Sequence, residues 1–314
     1  MTAAEARTPA TGRPNIIVIL VDDMGYSDIG CYGSEIQTPN LDSLAAQGVR
    51  FSQFYNCARC CPTRASLLTG LYPHQAGVGA MVGNGGIPSY QGYLRNDCVT
   101  IAEVLRGAGY RTFMSGKWHV GGHYIYNQPD TWTPGDATHP TPFQRGFEEH
   151  YGSLGGGGSY YNPPTLIHND TLLDAPAPEE DYYYTDAISE EAVKMMGTAA
   201  HARDPFFLYV AYTAPHWPLH ALPEDIAKYE GMYRKGGWDA LRTARHETLK
   251  SMGLVNPKWD ISPRDEEAQP WEDVQEKEWQ AYRMAVYAAQ VDRMDQGVGR
   301  ILEELRKLEI EEDT

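Results

Sequence analysis

The chain has 314 residues, 42% of them apolar, and a formal net charge of -16. This length and composition suit one large α/β domain with a sizeable core, and they exclude collagen-like and disordered chains. The acidic balance argues against a nucleic-acid partner, because phosphate binding needs a basic stripe that this sequence lacks. The early apolar run from Ile16 to Val21 is too short to span a membrane, so no membrane association is expected.

Apolar runs and capped helical patterns alternate along the chain, which is typical of βαβ units. In chain order, the predicted elements are a strand at 15–21, a helix at 39–47, a strand at 49–55, helices at 62–69 and 100–107, strands at 111–115 and 206–213, and a helix at 279–308. These elements predict an α/β fold in which helices sandwich a mostly parallel central sheet. Residues 1–13 are expected to be a disordered tail before a domain at 14–314.

Local signals fix several of these boundaries. Pro39 suits the first position of its helix, and Gly48 ends it. Thr100 and Glu103 form a capping-box pattern, which predicts a helix start. Two stretches break the alternation: residues 121–170 are rich in Gly, Tyr, Pro and Asn, and residues 221–277 are polar with scattered Trp. Both are expected to be excursions around the mouth of a site.

The cysteines are odd in number and partly clustered: Cys31, Cys57, Cys60, Cys61 and Cys98. This pattern does not resemble a disulfide framework, and no signal peptide precedes it, so a reducing cytoplasm is the simpler prediction. The cluster at 57–61 could instead be half of a zinc site or a redox pair. The sequence shows no second Cys-x-x-Cys and no His-rich partner, which disfavours both alternatives.

Polar residues that could carry chemistry follow the predicted strands. In open α/β sheets, ligands bind beyond the carboxyl ends of the strands. The residues at these positions are Asp22 and Asp23, Cys60 and Arg64, Lys117 and His119, and His216. They comprise two carboxylates, a nucleophile precursor, two cations and two imidazoles. Such a set is what hydrolysis of an anionic ester with a divalent metal requires.

Each of these residues also has a purely structural explanation. The Asp22-Asp23 pair could cap a helix or form a solvated turn, and a Cys-Cys-Pro-Thr-Arg turn could be structural. His216 lies between two prolines and could pack on Trp217. Their matching positions after successive strands favour a site over these separate explanations.

Several motifs resemble those of one enzyme family. Cys60-Cys61-Pro62-Thr63-Arg64, with the Leu-Leu-Thr-Gly that ends at Gly70, resembles the Cys-x-Pro-x-Arg signature of type I sulfatases. Further segments are similar to the family's opening strand with its metal pair and to three more of its signatures: Pro14 to Gly25, Thr38 to Asp42, Gly116 to His119 and Ala214 to Pro218. The resemblance spans about residues 14–310. It implies the N-terminal part of a formylglycine-dependent arylsulfatase with the alkaline phosphatase-like fold, most similar to bacterial enzymes.

The resemblance also implies roles for individual residues. A formylglycine-generating enzyme would convert Cys60 to an aldehyde, whose hydrate presents two hydroxyls, and Arg64 would hold this diol. Asp22 and Asp23, together with the modified residue 60, would bind Ca²⁺, or alternatively Mg²⁺. Lys117 and His216, which follows the last strand, would bind the sulfate of a small sulfate ester. His119 would act as the base.

Two alternatives follow from the same resemblance. A phosphonate monoester or phosphodiester hydrolase would share the scaffold, the formylglycine and the metal site. The family completes its metal site with an Asp-Asn-Gly beyond the long helix, and this sequence contains no Asp-Asn dipeptide. The chain is therefore expected to need a C-terminal part of the protein, and to be an inactive fragment without it.

Overall fold

The computed structural model describes residues 12–125, 128–174 and 181–314. The tail predicted at 1–13 falls mainly on residues 1–11, which lie outside these ranges. The chain divides into two compact units, which are described separately. The first unit comprises Met1–Asp22, Tyr55–Thr213 and Gly299–Thr314, and the second comprises Asp23–Phe54 and Ala214–Val298. None of the helices in the described ranges is both long and apolar enough to cross a lipid bilayer.

The described residues form a mixed sheet of six strands in the order β1-β6-β2-β3-β4-β5. The strands are β1 Ile16–Asp22, β2 Arg111–Gly116, β3 Glu149–Ser153, β4 Leu166–His168, β5 Thr171–Leu172 and β6 Phe206–Pro215. Strand β2 pairs in parallel with both β3 and β6, whereas β3, β4 and β5 are joined by antiparallel pairing. Strand β6 is buried along its whole length, which explains its continuous apolar sequence.

In the first unit, helices cover both faces of this sheet. The α-helices are α1 Pro39–Gln47, α2 Cys60–Thr69, α3 Pro73–Ala76, α4 Ile101–Gly107, α5 Tyr184–Ala202, α6 Pro223–Tyr229, α7 Gly237–Ser251 and α8 Lys277–Lys307. Met114 of β2 packs in one hydrophobic cluster with residues of α2 and α4. The next residue, Ser115, points to the opposite face, where its hydroxyl donates to Ile188 O of α5 at 2.7 Å. The predicted α/β sandwich is therefore confirmed.

Helix boundaries agree with the local signals in the sequence. Helix α1 begins at Pro39 and ends before Gly48, as predicted. At the start of α4, Glu103 N donates to Thr100 Oγ1 at 3.1 Å and Thr100 N donates to Glu103 Oε2 at 2.6 Å, which confirms the capping box. Helix α2 begins at Cys60, two residues earlier than predicted.

One predicted strand is wrong, and several elements were not predicted. Residues 49–55 form no strand, and Val49 and Tyr55 are 80% and 88% exposed. An apolar run that finds neither a pairing strand nor a core has no reason to become one. The stretch 121–170 contains β3 and β4, and the stretch 221–277 contains α6 and α7. Helix α5 was also missed.

Candidate active site

Cys60 lies at the N-terminus of α2. Arg59 precedes it in an extended conformation and makes no side-chain cap, so the first N–H groups of the helix are not capped by that side chain. Such groups favour an anion near residue 60. Cys60 is partly buried and Cys61 is fully buried, with 4.0 Å between their Sγ atoms. Local sequence thus positions both thiols at one helix end.

Lys117 and His119 are positioned by the strands that flank β2. Beyond β2, Lys117 N donates to Ala211 O at 2.8 Å, and His119 N donates to Leu154 O at 3.1 Å. The segment that follows β2 is therefore hydrogen-bonded to β6 on one side and to the end of β3 on the other. His119 has a φ of 55°, a left-handed conformation that is uncommon outside glycine and often found at functional sites.

One carboxylate in this region faces two cations. Asp22 ends β1 and is 6% exposed. Its Oδ2 is ion-paired with Lys117 Nζ and lies 3.3 Å from Arg64 Nη2. Burial lowers the pKa of Lys117, and the charge of Arg64 lowers it further, against the opposing effect of Asp22. The three groups together carry a surplus positive charge when ionised, and this surplus suits an anionic ligand.

Arg64 has unused hydrogen-bonding capacity. Its Nη1 donates to Lys117 O at 2.7 Å and to the Tyr209 hydroxyl at 3.3 Å. Its Nε and Nη2 are buried, and within the described residues neither makes a hydrogen bond, although Nη2 is ion-paired with Asp22. An unsatisfied buried donor costs free energy, so these two N–H groups are placed to donate to an oxygen ligand.

The two thiols lie beside His119. Cys61 Sγ is 3.5 Å from Nδ1 and 3.4 Å from Nε2 of the imidazole. The hydrogen bond from Cys61 lowers the pKa of Cys60, as do His119 and Lys117, so the unmodified Cys60 is favoured as a thiolate. The same hydrogen bond, with burial, raises the pKa of Cys61. Burial lowers the pKa of His119, which is therefore neutral near pH 7.

Gly156, which the sequence analysis did not identify, leaves space for the imidazole of His119. A Cβ atom at Gly156 would lie 2.4 Å from both Cε1 and Nε2 of His119. The only signal for this residue in the sequence is the run of four glycines from 155 to 158. Gly156, His119 and Tyr124 also line a cavity of about 490 Å³ in the first unit. Its volume falls within the range of small-molecule pockets.

The predicted site residues fall into two groups. Within the first unit, the structure brings together Asp22, Cys60, Arg64, Lys117 and His119. Within the second unit, His216 Nε2 lies 3.6 Å from Asp23 Oδ2. Asp23 has a φ of 60°, and its side chain is 60% exposed. Trp217 is 70% exposed, so it does not bury the neighbouring histidine in a core.

The carboxylate of Asp22 suits a hard cation, because Ca²⁺ and Mg²⁺ prefer oxygen ligands. Asp23, in the second unit, carries the same type of donor. Calcium takes about six to eight oxygens, so one carboxylate supplies only some of its ligands. A bound cation would also compensate Asp22 in place of its ion pairs with Lys117 and Arg64.

Comparisons with known proteins agree on one family. A family model described as Sulfatase matches residues 14–314. An arylsulfatase from Klebsiella aerogenes is 35% identical over 318 residues, covering 97% of this chain and 65% of that protein. An uncharacterized sulfatase from Schizosaccharomyces pombe is 35% identical over 321 residues, covering 94% of this chain and 55% of that protein.

A solved structure is similar over nearly the whole chain. The crystal structure of Ps i-CgsB in complex with k-i-k-neocarrahexaose is 31% identical, with a TM-score of 0.66. The match covers 95% of this chain and 56% of that one. The chain thus spans between about half and two thirds of the length of these relatives.

Proposed function

The chain belongs to the sulfatase family, and we propose on that premise that the protein hydrolyses sulfuric esters. The observation that carries the proposal is the position of Cys60, which opens α2 beside the buried group of Arg64, Lys117 and Asp22. That group has surplus positive charge and unsatisfied N–H donors. Both features favour a sulfate, with its negative charge and acceptor oxygens, at residue 60.

Residue 60 would act as formylglycine, made from Cys60 by a formylglycine-generating enzyme. The hydrated aldehyde supplies two hydroxyls on one carbon, of which one can attack sulfur. Nε and Nη2 of Arg64, which make no hydrogen bond within the described residues, would donate to the diol oxygens. His119 is neutral because burial lowers its pKa, so a ring nitrogen can accept the proton of a hydroxyl at residue 60.

The other predicted residues would bind the sulfate group and a metal ion. Lys117 would hold a sulfate oxygen and assist the leaving alcohol, the role that the family resemblance also implies for His216. Asp22 and Asp23, with modified residue 60, would hold Ca²⁺ or Mg²⁺, which would polarise the ester. The oxygen-donor chemistry of the two aspartates supports this assignment.

The substrate class and the location are part of the same proposal. We infer an aryl or carbohydrate sulfate, since relatives include an arylsulfatase and a protein solved with a neocarrahexaose. The cavity beside His119 has room for either leaving group. For the location, a reducing cytoplasm is proposed from the odd number and the clustering of the cysteines in the sequence.

The decisive experiment is mass spectrometry of the tryptic pentapeptide Cys60–Arg64, which follows cleavage after Arg59. The full-length protein would be coexpressed with the modifying enzyme. We expect fragmentation to locate the exchange of hydrogen sulfide for oxygen at Cys60 and not at Cys61. An aldehyde at Cys61, or an unmodified pair of thiols in a competent host, would contradict the assignment.

Turnover measurements separate the chemical alternatives. We expect faster hydrolysis of an aryl sulfate than of an aryl phosphodiester or phosphonate monoester, and loss of turnover in Cys60→Ala. Cys98→Ser is the matched control, because Cys98 donates to Arg95 O and lies outside the site. A faster phosphodiester reaction would replace the sulfatase proposal by the phosphodiesterase alternative.

A further inference from the structure

We propose that Cys60, Cys61 and His119 form a binding site for a thiophilic metal ion, Zn²⁺, in the chain that has not been converted to formylglycine. One ligand atom from each residue lies within 4.8 Å of the other two. Within the described ranges, this is the only such group of three or more His, Cys, Asp or Glu residues. The sequence alone offered no histidine partner for the cysteines, because His119 is 58 residues from Cys61 and only the fold brings the two side chains together.

The sulfur–sulfur distance is close to that of tetrahedral zinc coordination. Zinc binds thiolates at about 2.3 Å and imidazole at about 2.0–2.1 Å, so tetrahedral angles separate two sulfurs by roughly 3.8 Å and a sulfur from a nitrogen by roughly 3.6 Å. The Sγ atoms of Cys60 and Cys61 lie 4.0 Å apart. Cys61 Sγ lies 3.4 and 3.5 Å from the two nitrogens of His119, so it lies over the face of the ring. Zinc binding therefore requires the imidazole to rotate until one nitrogen lone pair points at the ion.

The surroundings favour a soft ion over a hard one. Met81 places its sulfur 3.8 Å from Cys61 Sγ, which makes the neighbourhood rich in sulfur. Thiolate and imidazole ligands select Zn²⁺ over Ca²⁺ and Mg²⁺, which prefer oxygen. Two thiolates balance the charge of a divalent ion. The hydrogen bond with Cys60 and burial raise the pKa of Cys61, and the charges of Lys117 and Arg64 oppose this rise only in part, so zinc would have to displace the Cys61 proton on binding.

This site and the sulfatase site would exclude each other. Conversion of Cys60 to an aldehyde removes one of the two thiolates, so zinc affinity belongs to the unmodified chain. A bound zinc ion would in turn cover the sulfur that the modifying enzyme must reach. This consequence for maturation rests on the proposed function, whereas zinc binding itself does not.

The test uses the unmodified full chain, with both thiols confirmed by mass spectrometry and kept reduced. Cobalt titration should give one equivalent of bound ion with a thiolate-to-cobalt charge-transfer band, which Zn²⁺ displaces and Ca²⁺ does not. Cys61→Ser and His119→Ala should each weaken cobalt binding at least about ten-fold. Cys98→Ser should bind like the unaltered chain. Absence of the band with intact thiols, or its persistence in both ligand variants, would overturn the proposal.

A second measurement needs no variant and so does not depend on variant folding. Zn²⁺ should protect Cys60 and Cys61 in the tryptic pentapeptide from alkylation by iodoacetamide. Cys31 and Cys57 are partly buried and lie outside the proposed ligand set, so they serve as internal references. Equal alkylation of all four cysteines with and without zinc would contradict the site. Either outcome is independent of sulfatase turnover, so it leaves the proposed function to its own test.

Discussion

At the residue scale, Asp22 is a carboxylate that compensates two buried cations. Asp22→Asn would remove the carboxylate that is ion-paired with both Lys117 and Arg64, whereas Lys117→Met would leave the pair of Asp22 and Arg64 in place. Removing one partner of a buried ion pair costs about 3–5 kcal/mol. We expect Asp22→Asn to lower the free energy of unfolding by about that amount, and Lys117→Met to lower it less, in urea denaturation with EDTA present.

An exposed ion pair provides the matched control. Lys194 Nζ lies 2.7 Å from Glu191 Oε1 on α5, but the lysine side chain is 66% exposed. Lys194→Met should change the free energy of unfolding by less than about 0.5 kcal/mol. If Lys117→Met proved more damaging than Asp22→Asn, the claim that Asp22 compensates both cations would be wrong.

A buried histidine predicts how stability depends on pH. His150 on β3 is completely buried, and burial lowers its pKa from 6.5 to about 3. Between these values the unfolded chain binds a proton at this imidazole and the folded chain does not. The free energy of unfolding therefore falls as the pH drops below 6.5, by up to about 1.4 kcal/mol per pH unit for this group.

Replacement of this histidine isolates its contribution from that of the carboxylates. In urea denaturation from about pH 7 to about pH 4, His150→Leu should lose less stability than the unaltered chain. The readout is the difference between the two pH profiles, because other acids titrate in both proteins. Parallel profiles over this window would show that His150 is accessible to protons in the folded state.

At the element scale, the close approach of β2 and β6 requires a glycine next to Lys117. Gly116 has a φ of 118°, and a Cβ atom there would lie 2.1 Å from Ala211 O. Gly116→Ala should therefore shift the end of β2, and with it Lys117. We expect a loss of stability of at least about 2–3 kcal/mol, measured by urea denaturation, and a lower kcat for sulfate hydrolysis.

Helix α5 supplies a control for this substitution. Gly197 lies in the helix with open space around its Cβ position. Gly197→Ala should stabilise the chain by about 0.5–1 kcal/mol, because alanine is the better helix former. A neutral Gly116→Ala would mean that the strands can separate without cost.

The elements that could be predicted from sequence are those with local signals. Proline, glycine and capping residues marked α1 and α4, and the continuous apolar run marked β6. Strand β3 lies in a stretch rich in glycine and tyrosine and forms only by pairing with β2, a contact that no local pattern records. The segment 49–55 has the pattern of a strand but no partner for it.

The same distinction applies to the candidate site. The position of Lys117 could be predicted because the carboxyl ends of parallel strands share one edge of the sheet. Arg64 was expected after a strand at 49–55 that does not form, and it reaches the site from α2. The contact of Cys61 with His119 and the space left by Gly156 depend on side chains distant in sequence. Such contacts follow from tertiary packing, so they cannot be predicted from residue types or from their spacing along the sequence.

At the scale of the whole molecule, the net charge of -16 and the cationic site act over different distances. The acidic surface creates a long-range repulsion that opposes the compact state and an approaching anion. Arg64 and Lys117 act only at short range, inside the protein. Salt should therefore reduce the first effect far more than the second, because exposed charges are screened and buried ones are not.

This difference predicts how salt changes thermal stability. Raising sodium chloride from about 0.01 M to about 0.2 M shortens the Debye length from about 30 Å to less than 10 Å. At neutral pH the unfolding midpoint should rise by a few degrees, whereas near pH 5.0, the isoelectric point, it should change little because the net charge is small. Differential scanning calorimetry with EDTA present measures both midpoints. Potassium fluoride in place of sodium chloride should give the same rise, which separates screening from chloride binding at Arg64 and Lys117. An equal rise at both pH values would show that self-repulsion is not what salt relieves.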